Sequence, residues 1–236
     1  MLGAVRSILI AGLLAAAPLT GTSAETLLPN AATPEDVGLS GGQLARLEAT
    51  TRAHIEKGLL PGAIMLVVRD DKIAWRRVMG MRDRDKGEPM KPDSLFRIYS
   101  MTKPVVSVAI MMLVEQGRMQ IGDPVSRLLA QGGTLHGKRL LSPQTPAFMT
   151  ADHVGATPGR PPGMGFGLGF EERKSLGMAV LPGSEGEYGW AGNAGTPFWI
   201  DPKRKLMALY MVQANVYDRV FLRNQFRTMV QAAIMR

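Results

Sequence analysis

Leu44, Leu47, Thr51 and Ile55 recur at helical spacing behind Ser40, with Gln43 three residues after that serine. This is a capping-box helix start, and Gly58 ends the element. Over 63–69 the pattern changes to a short, largely β-branched apolar run containing Ile64, Leu66, Val67 and Val68. Asp70-Asp71 reads as a turn and a second run covers 73–79, so 63–79 predicts a β-hairpin. Residues 80–94 are charged and broken by Gly80, Gly87, Pro89 and Pro92, which predicts an exposed loop. From 104 to 114 almost every position is apolar, the pattern of a helix buried on all sides, and Gly117 closes it.

Asp123-Pro124 opens a short helix to Leu129, and 132–141 reads as a turn or small hairpin. Ser142-Pro143 starts another helix that runs to about Thr150, with proline at its first position. A loop over 151–163 precedes strand patterns at 165–172, 187–190 and 206–213, with 197–201 extended as well. The last pattern, 217–235, is a helix with Val220, Phe221, Met229, Val230 and Ala233 on its apolar side. Residues 25–37 form an irregular lead-in. The order of elements and the short late connections predict one α/β domain, an antiparallel sheet with helices on both faces.

The N-terminus alters the length to be folded. A basic start with Arg6, an apolar run over 8–19 and the small residues Thr22-Ser23-Ala24 read as a secretory signal peptide over 1–24. The run is short for a membrane span, so cleavage and export to a periplasm or the exterior are expected rather than anchoring. The formal charge of +8, from 28 basic and 20 acidic residues, then becomes +7 on the mature chain. The basic residues are scattered, which argues against a nucleic-acid surface. With no Cys among 236 residues there is no disulfide framework and no thiolate nucleophile or cluster site. His54, His136 and His153 lie far apart without metal-ligand spacing, and neither metal nor cofactor is implied.

Three stretches carry candidate chemistry. Gly38-Leu39-Ser40-Gly41-Gly42 has the G-x-S-x-G form, but no strand precedes it, and Ser40 is better explained as a helix cap. Ser100-Met101-Thr102-Lys103 is an S-x-x-K tetrad at the start of an apolar helix. Free N–H groups there suit an oxyanion. Lys103 lies one turn on, on the same face, and beside an apolar helix it is expected to be partly desolvated and suited to a base's role. A capping serine and a solvated lysine explain the same residues equally well from spacing alone. In Gly189-Trp190-Ala191-Gly192-Asn193-Ala194-Gly195-Thr196, small residues permit close backbone approach and Trp190 suits a pocket wall; a strand, a turn and a core tryptophan are the plain alternative.

Taken together, these stretches resemble the serine β-lactamase and penicillin-binding-protein superfamily, closest to class C β-lactamases and the β-lactamase-like (family VIII) carboxylesterases. The likeness runs through Gly62-Ala63-Ile64, Arg69-Asp70, Gly80 and Arg82-Asp83 to Phe96-Arg97-Ile98-Tyr99-Ser100-Met101-Thr102-Lys103-Pro104 and Asp123-Pro124-Val125. It resumes at Leu140-Leu141-Ser142-Pro143, Gly165-Phe166-Gly167-Leu168-Gly169-Phe170, Gly189 to Thr196, and Phe198-Trp199-Ile200-Asp201-Pro202. The resemblance implies Ser100 as the acylated nucleophile, Lys103 as its proton partner, and the backbone N–H groups of Ser100 and Asn193 as an oxyanion hole. Trp190, Ala191 and Gly192 take the substrate-binding place of the K-T-G box. With Trp190 where penicillin-recognising members have lysine, the implied partner is a small uncharged ester, with β-lactams as the second substrate class.

One departure divides the expectations. The superfamily's Y-x-N or Y-x-S motif is absent, since Tyr99, Tyr188, Tyr210 and Tyr217 are followed two residues on by Met101, Trp190, Val212 and Arg219. The first matching block passes into the second around 127–132, so most of the all-helical subdomain is expected to be missing. The chain is then either a reduced Ser–Lys hydrolase or an impaired homologue that binds an acyl or cell-wall ligand.

Overall fold

The computed structural model describes residues 28–118, 120–121, 144–155, 161–215 and 217–236. The expected leader over 1–24, the short helix after Asp123-Pro124 and the turn over 132–141 lie outside them. Its frame is one eight-stranded antiparallel sheet. The strands are β1 (Gly62–Arg69), β2 (Lys72–Asp83), β3 (Glu88–Pro89), β4 (Met164–Phe166), β5 (Glu171–Arg173), β6 (Tyr188–Ala191), β7 (Pro197–Asp201) and β8 (Leu206–Val212), in spatial order β3-β2-β1-β8-β7-β6-β5-β4. β1 lies against β8 from Ala63 opposite Val212 to Arg69 opposite Leu206, which joins the early hairpin to the late strands. The hairpin turn is Asp70-Asp71, with φ of +48° and +56°. A two-residue turn whose twist matches its strands needs both central residues in the left-handed region, which aspartate tolerates.

Two strand boundaries differ from the sequence reading. β2 does not stop at Met79 but runs on to Asp83, and β3 pairs with it, Met81 opposite Pro89 and Asp83 opposite Glu88. Arg82, Asp83 and Glu88 therefore belong to strands at the sheet's margin, where polar side chains face water, and the irregular part of 80–94 is reduced to the turn over 84–87 and the stretch 90–94. The single strand expected over 165–172 is a hairpin, with Met164 opposite Arg173 and Phe166 opposite Glu171. Its glycines reverse the chain where an alternating pattern alone reads as continuous.

Helices cover both faces. On one side α1 (Gly41–Glu56) and the C-terminal helix α4 (Arg219–Ala232) close the main core, where Leu44, Leu47, Met65, Val67, Trp199, Tyr210, Leu222 and Phe226 meet. Phe226 stacks on Tyr210 at 4.6 Å between ring centroids and meets Trp199 edge-on at 5.7 Å. Burying each such side chain contributes about 1.5–3 kcal/mol. The stripe that faces inward is Leu222, Phe226 and Val230, while Val220 and Phe221, expected on that side, are 43% and 56% exposed. Spacing of four residues sustained over two turns makes the continuous face; a neighbouring apolar pair does not.

Ser40 caps α1 as expected, its Oγ accepting from the Gln43 N–H at 3.2 Å. The return half of the capping box is replaced: the Ser40 N–H donates to Ala233 O at 2.7 Å, tying the helix start to the end of α4. The G-x-S-x-G stretch is thus structural.

On the opposite face α2 (Thr102–Glu115) and the short α3 (Gln144–Thr150) pack through Met111, Met149 and Phe170, with Tyr188 and Phe198 reaching up from the sheet. β7 alternates so that Trp199 enters the first core and Phe198 the second. α2 is not buried all round. Pro104, Met111 and Met112 are buried, whereas Val105 and Val106 are 62% and 48% exposed. Only one side of this apolar helix has a described neighbour to pack on. Near the far edge of the sheet, Arg173 and Glu187 form a buried ion pair at 2.5 Å, and Arg227 of α4 reaches the same carboxylate. That cluster fastens the β4–β5 hairpin, which hangs over α2.

Candidate active site

Ser100 stands in a 3₁₀ turn, Tyr99–Met101, that feeds directly into α2. The turn is closed by the Met101 N–H donating to Ile98 O at 3.0 Å. Tyr99, immediately before the serine, has φ of +46°, a conformation that disfavours a side chain with Cβ by about 1–2 kcal/mol. Such strain persists only where the surroundings over-determine it, and it gathers at functional sites. One turn into the helix, Lys103 Nζ lies 2.9 Å from Ser100 Oγ and donates to it. The i, i+3 spacing of the tetrad therefore produces the contact it predicts. Lys103 is exposed, however, so the partial desolvation expected of it is not present. Both Lys103 and Val106 sit on the side of α2 that is left open among the described residues.

The second stretch reaches Ser100 from across the sheet. Gly192 to Thr196 forms the turn between β6 and β7, closed by the Gly192 N–H on Thr196 O at 2.8 Å and the Gly195 N–H on Gly192 O at 3.0 Å. A Cβ on Gly192 would stand 2.4 Å from Ile98 O and 2.3 Å from Thr196 Oγ1. Gly192 is small so that the β6–β7 turn can seat on the backbone leading to Ser100. The end of β8 adds a second tie, Gln213 Nε2 donating to Arg97 O at 3.1 Å. Gly192→Ala is expected to cost about 1–3 kcal/mol, because the Ile98 backbone and the buried Thr196 side chain must shift. The thermal midpoint measures this, and a midpoint equal to that of the wild type would contradict the packing.

The cleft these pieces enclose has a volume of about 790 Å³ and is lined by Tyr99, Ser100, Lys103, Val106, Phe166 and Asn193, among others. Asn193, proposed from the sequence, thus lies with Ser100 and Lys103. Trp190 stands one layer behind, edge-on to Phe166 at 4.9 Å, and it is Phe166 that lines the cleft. Ala191 continues β6 behind the same wall. Phe166 and Gly169 entered the sequence reading only as part of the family likeness and not as residues of the site. Gly169, with φ of +91°, would place a Cβ 2.4 Å from Ser107 Oγ, so the hairpin turn presses onto α2. The glycine-rich run 165–170 was the available signal, but no local pattern says which helix it touches.

All four tyrosines are placed. Tyr210 is 2% exposed in the main core, Tyr188 meets Phe170 edge-on at 5.5 Å, and Tyr217 is 90% exposed before α4. Burial pushes the Tyr188 phenol above its ordinary range, which keeps it neutral. Tyr99 is the tyrosine that shares the cleft with Ser100.

Residues 47–139 match the family model described as Beta-lactamase. Esterase EstB of Burkholderia gladioli is 40% identical over 87 residues, 37% of this chain and 22% of that protein. Protein flp of Staphylococcus aureus is 29% identical over 89 residues, 38% of this chain and 18% of that protein. The chain thus spans about a fifth of the length of these curated relatives. Among solved structures, EstCE1, described as a hydrolase with promiscuous acyltransferase activity, superposes with a TM-score of 0.67 at 15% identity, covering 82% of this chain and 98% of that one. A penicillin-binding-protein homologue from Caulobacter crescentus gives a TM-score of 0.62 at 13% identity, covering 83% and 99%. At these identities the structural likeness shows the fold.

Proposed function

From the serine β-lactamase and penicillin-binding-protein superfamily to which these matches tie the chain, with an esterase among its relatives, we propose that it is an exported serine hydrolase of small, uncharged carboxylic esters. The observation that carries this reading is the 2.9 Å contact between Lys103 Nζ and Ser100 Oγ on the floor of the cleft. In this reading Lys103 Nζ receives the hydroxyl proton while Oγ attacks the ester carbonyl carbon. The developing oxyanion is received by the backbone N–H groups of Ser100 and Asn193. The bond from carbonyl carbon to alcohol oxygen then breaks, the proton passes from Lys103 to the departing alcohol, and an acyl ester remains on Ser100. Water, giving its proton to the same amine, releases the acid and restores the serine. Phe166 and Val106, with Trp190 behind Phe166, give the cleft an apolar side for the acyl or alcohol group. Lys103 is the lysine among the described residues that line the cleft, and in this reading it is engaged in the chemistry rather than in holding a substrate carboxylate.

Incubation with a fluorophosphonate and peptide mass spectrometry are expected to find one adduct, on Ser100. An adduct elsewhere, or none together with no turnover of p-nitrophenyl butyrate, would overturn the assignment. A second reading, a homologue that binds an acyl or cell-wall ligand without turnover, is favoured by one observation: no tyrosine of the chain lies in a Y-x-N or Y-x-S motif. The same measurement separates the two.

A further inference from the structure

We infer that Arg219, the first residue of α4, is a positioning residue for the oxyanion turn, holding Asn193 where its N–H meets the carbonyl oxygen of an ester on Ser100; this rests on the hydrolase reading above. One guanidinium nitrogen, Nη1, donates to Asn193 O at 3.1 Å and also to Asn193 Oδ1. Backbone and side chain of a single turn residue are therefore gripped from the same point, which removes the rotation about Asn193 that an exposed turn otherwise keeps. The grip has a rigid base. Asn215 Oδ1 accepts from the Tyr217 and Asp218 N–H groups at 2.9 and 3.0 Å, and the Arg219 N–H donates to Asn215 O at 3.2 Å.

The turn is also pinned beside the contact. Ala214 N–H donates to Ala194 O at 2.9 Å, and a Cβ on Gly195 would lie 3.2 Å from Arg219 Cβ. With the Gly192 contact to Ile98, these ties locate both ends of the turn and leave Asn193 at its tip for Arg219 to fix. Helix stability alone does not favour this placement, because a cation in the first turn sits against the positive end of the helix dipole. An oxyanion donor is effective only when its direction is set before the charge develops. Loosening it is expected to weaken the transition state more than the ground state.

The test compares wild type, Arg219→Ala and Arg219→Lys in turnover of p-nitrophenyl butyrate and in amide hydrogen exchange of the peptide covering 188–197. Arg219→Ala is expected to lose about 10- to 100-fold in kcat with KM within about threefold, below the full loss of an oxyanion donor. Exchange over 192–196 quickens in that variant, and Arg219→Lys recovers part of both. An unchanged kcat overturns the inference, and so does a raised KM at constant kcat, which would make Arg219 a substrate contact. If the wild type shows no turnover, the hydrolase reading has failed, and Arg219 is judged by exchange: quicker exchange supports the clamp and unchanged exchange overturns it. Should Arg219→Ala not fold, Arg219→Lys carries the same comparison.

Discussion

Replacing Ser100 by alanine is expected to lower turnover of p-nitrophenyl esters by about 10³-fold or more, leaving only what binding and the oxyanion donors supply. Removal of the attacking oxygen deletes the acyl-enzyme route altogether, so the loss appears in kcat and not in KM. Ser100 is not buried among core side chains and its Oγ contacts Lys103, so the alanine variant should melt close to the wild type. The informative contrast is Ser40, which also sits at a helix start. Ser40 Oγ bonds the Gln43 N–H, and Ser40→Ala should cost about 0.5–2 kcal/mol of stability while leaving kcat unchanged. Turnover that survives in Ser100→Ala, or vanishes in Ser40→Ala at full folding, would reverse the roles given to the two serines.

Lys103→Met is the second large effect, expected to lower kcat by about 10²- to 10⁴-fold, the range of a lost general base. Methionine keeps most of the aliphatic stem and removes the nitrogen that lies 2.9 Å from Ser100 Oγ. Because Lys103 is exposed in an open cleft, a small alkylamine added to the variant has a path to the same place and should restore part of the activity. Such rescue would tie the loss to the amine itself and not to a disturbed helix. Wild-type activity in Lys103→Met would move the proton-accepting role to another group, and Tyr99→Phe would then test the hydroxyl that shares the cleft. No Y-x-N or Y-x-S motif occurs in this chain, so the dependence on Lys103 should be steep.

Legibility in the sequence followed the range of the interaction. The Ser40 cap, the Asp70-Asp71 turn and the Ser100–Lys103 contact each depend on residues three or fewer apart; the first two were readable from spacing, whereas spacing put Lys103 within reach of Ser100 without choosing between a contact and a solvated lysine. The placing of Asn193 beside Ser100 was implied by resemblance to a family, not by any pattern within 189–196. What failed were statements about surroundings. The apolar run 104–114 was read as buried on all sides, and with it a desolvated lysine, yet hydrophobicity records what a helix tolerates and not how many neighbours reach it. Val105 and Val106 are exposed for want of a described neighbour on that side of α2. The apolar face of α4 was read correctly at Val230 and Ala233 and misjudged at its start on the same principle. Val220 and Phe221 are as apolar as the residues that point inward, and only the position of Tyr210 and Trp199 beneath the helix selects Leu222 and Phe226.

By itself, then, the sequence determined most of the local elements, the superfamily likeness and the one-turn spacing that brings Ser100 and Lys103 together, because backbone periodicity and i, i+3 geometry are properties of a short stretch. Tertiary structure alone decided the pairing of β1 with β8 and the seating of Gly192 on Ile98. It also decided the wall made by Phe166 and the grip of Arg219 on Asn193. Each of these joins residues tens of positions apart. Such contacts arise when the sheet closes, and the physical reason they are silent in the sequence is that no single strand or helix carries the partner that gives its side chains their direction.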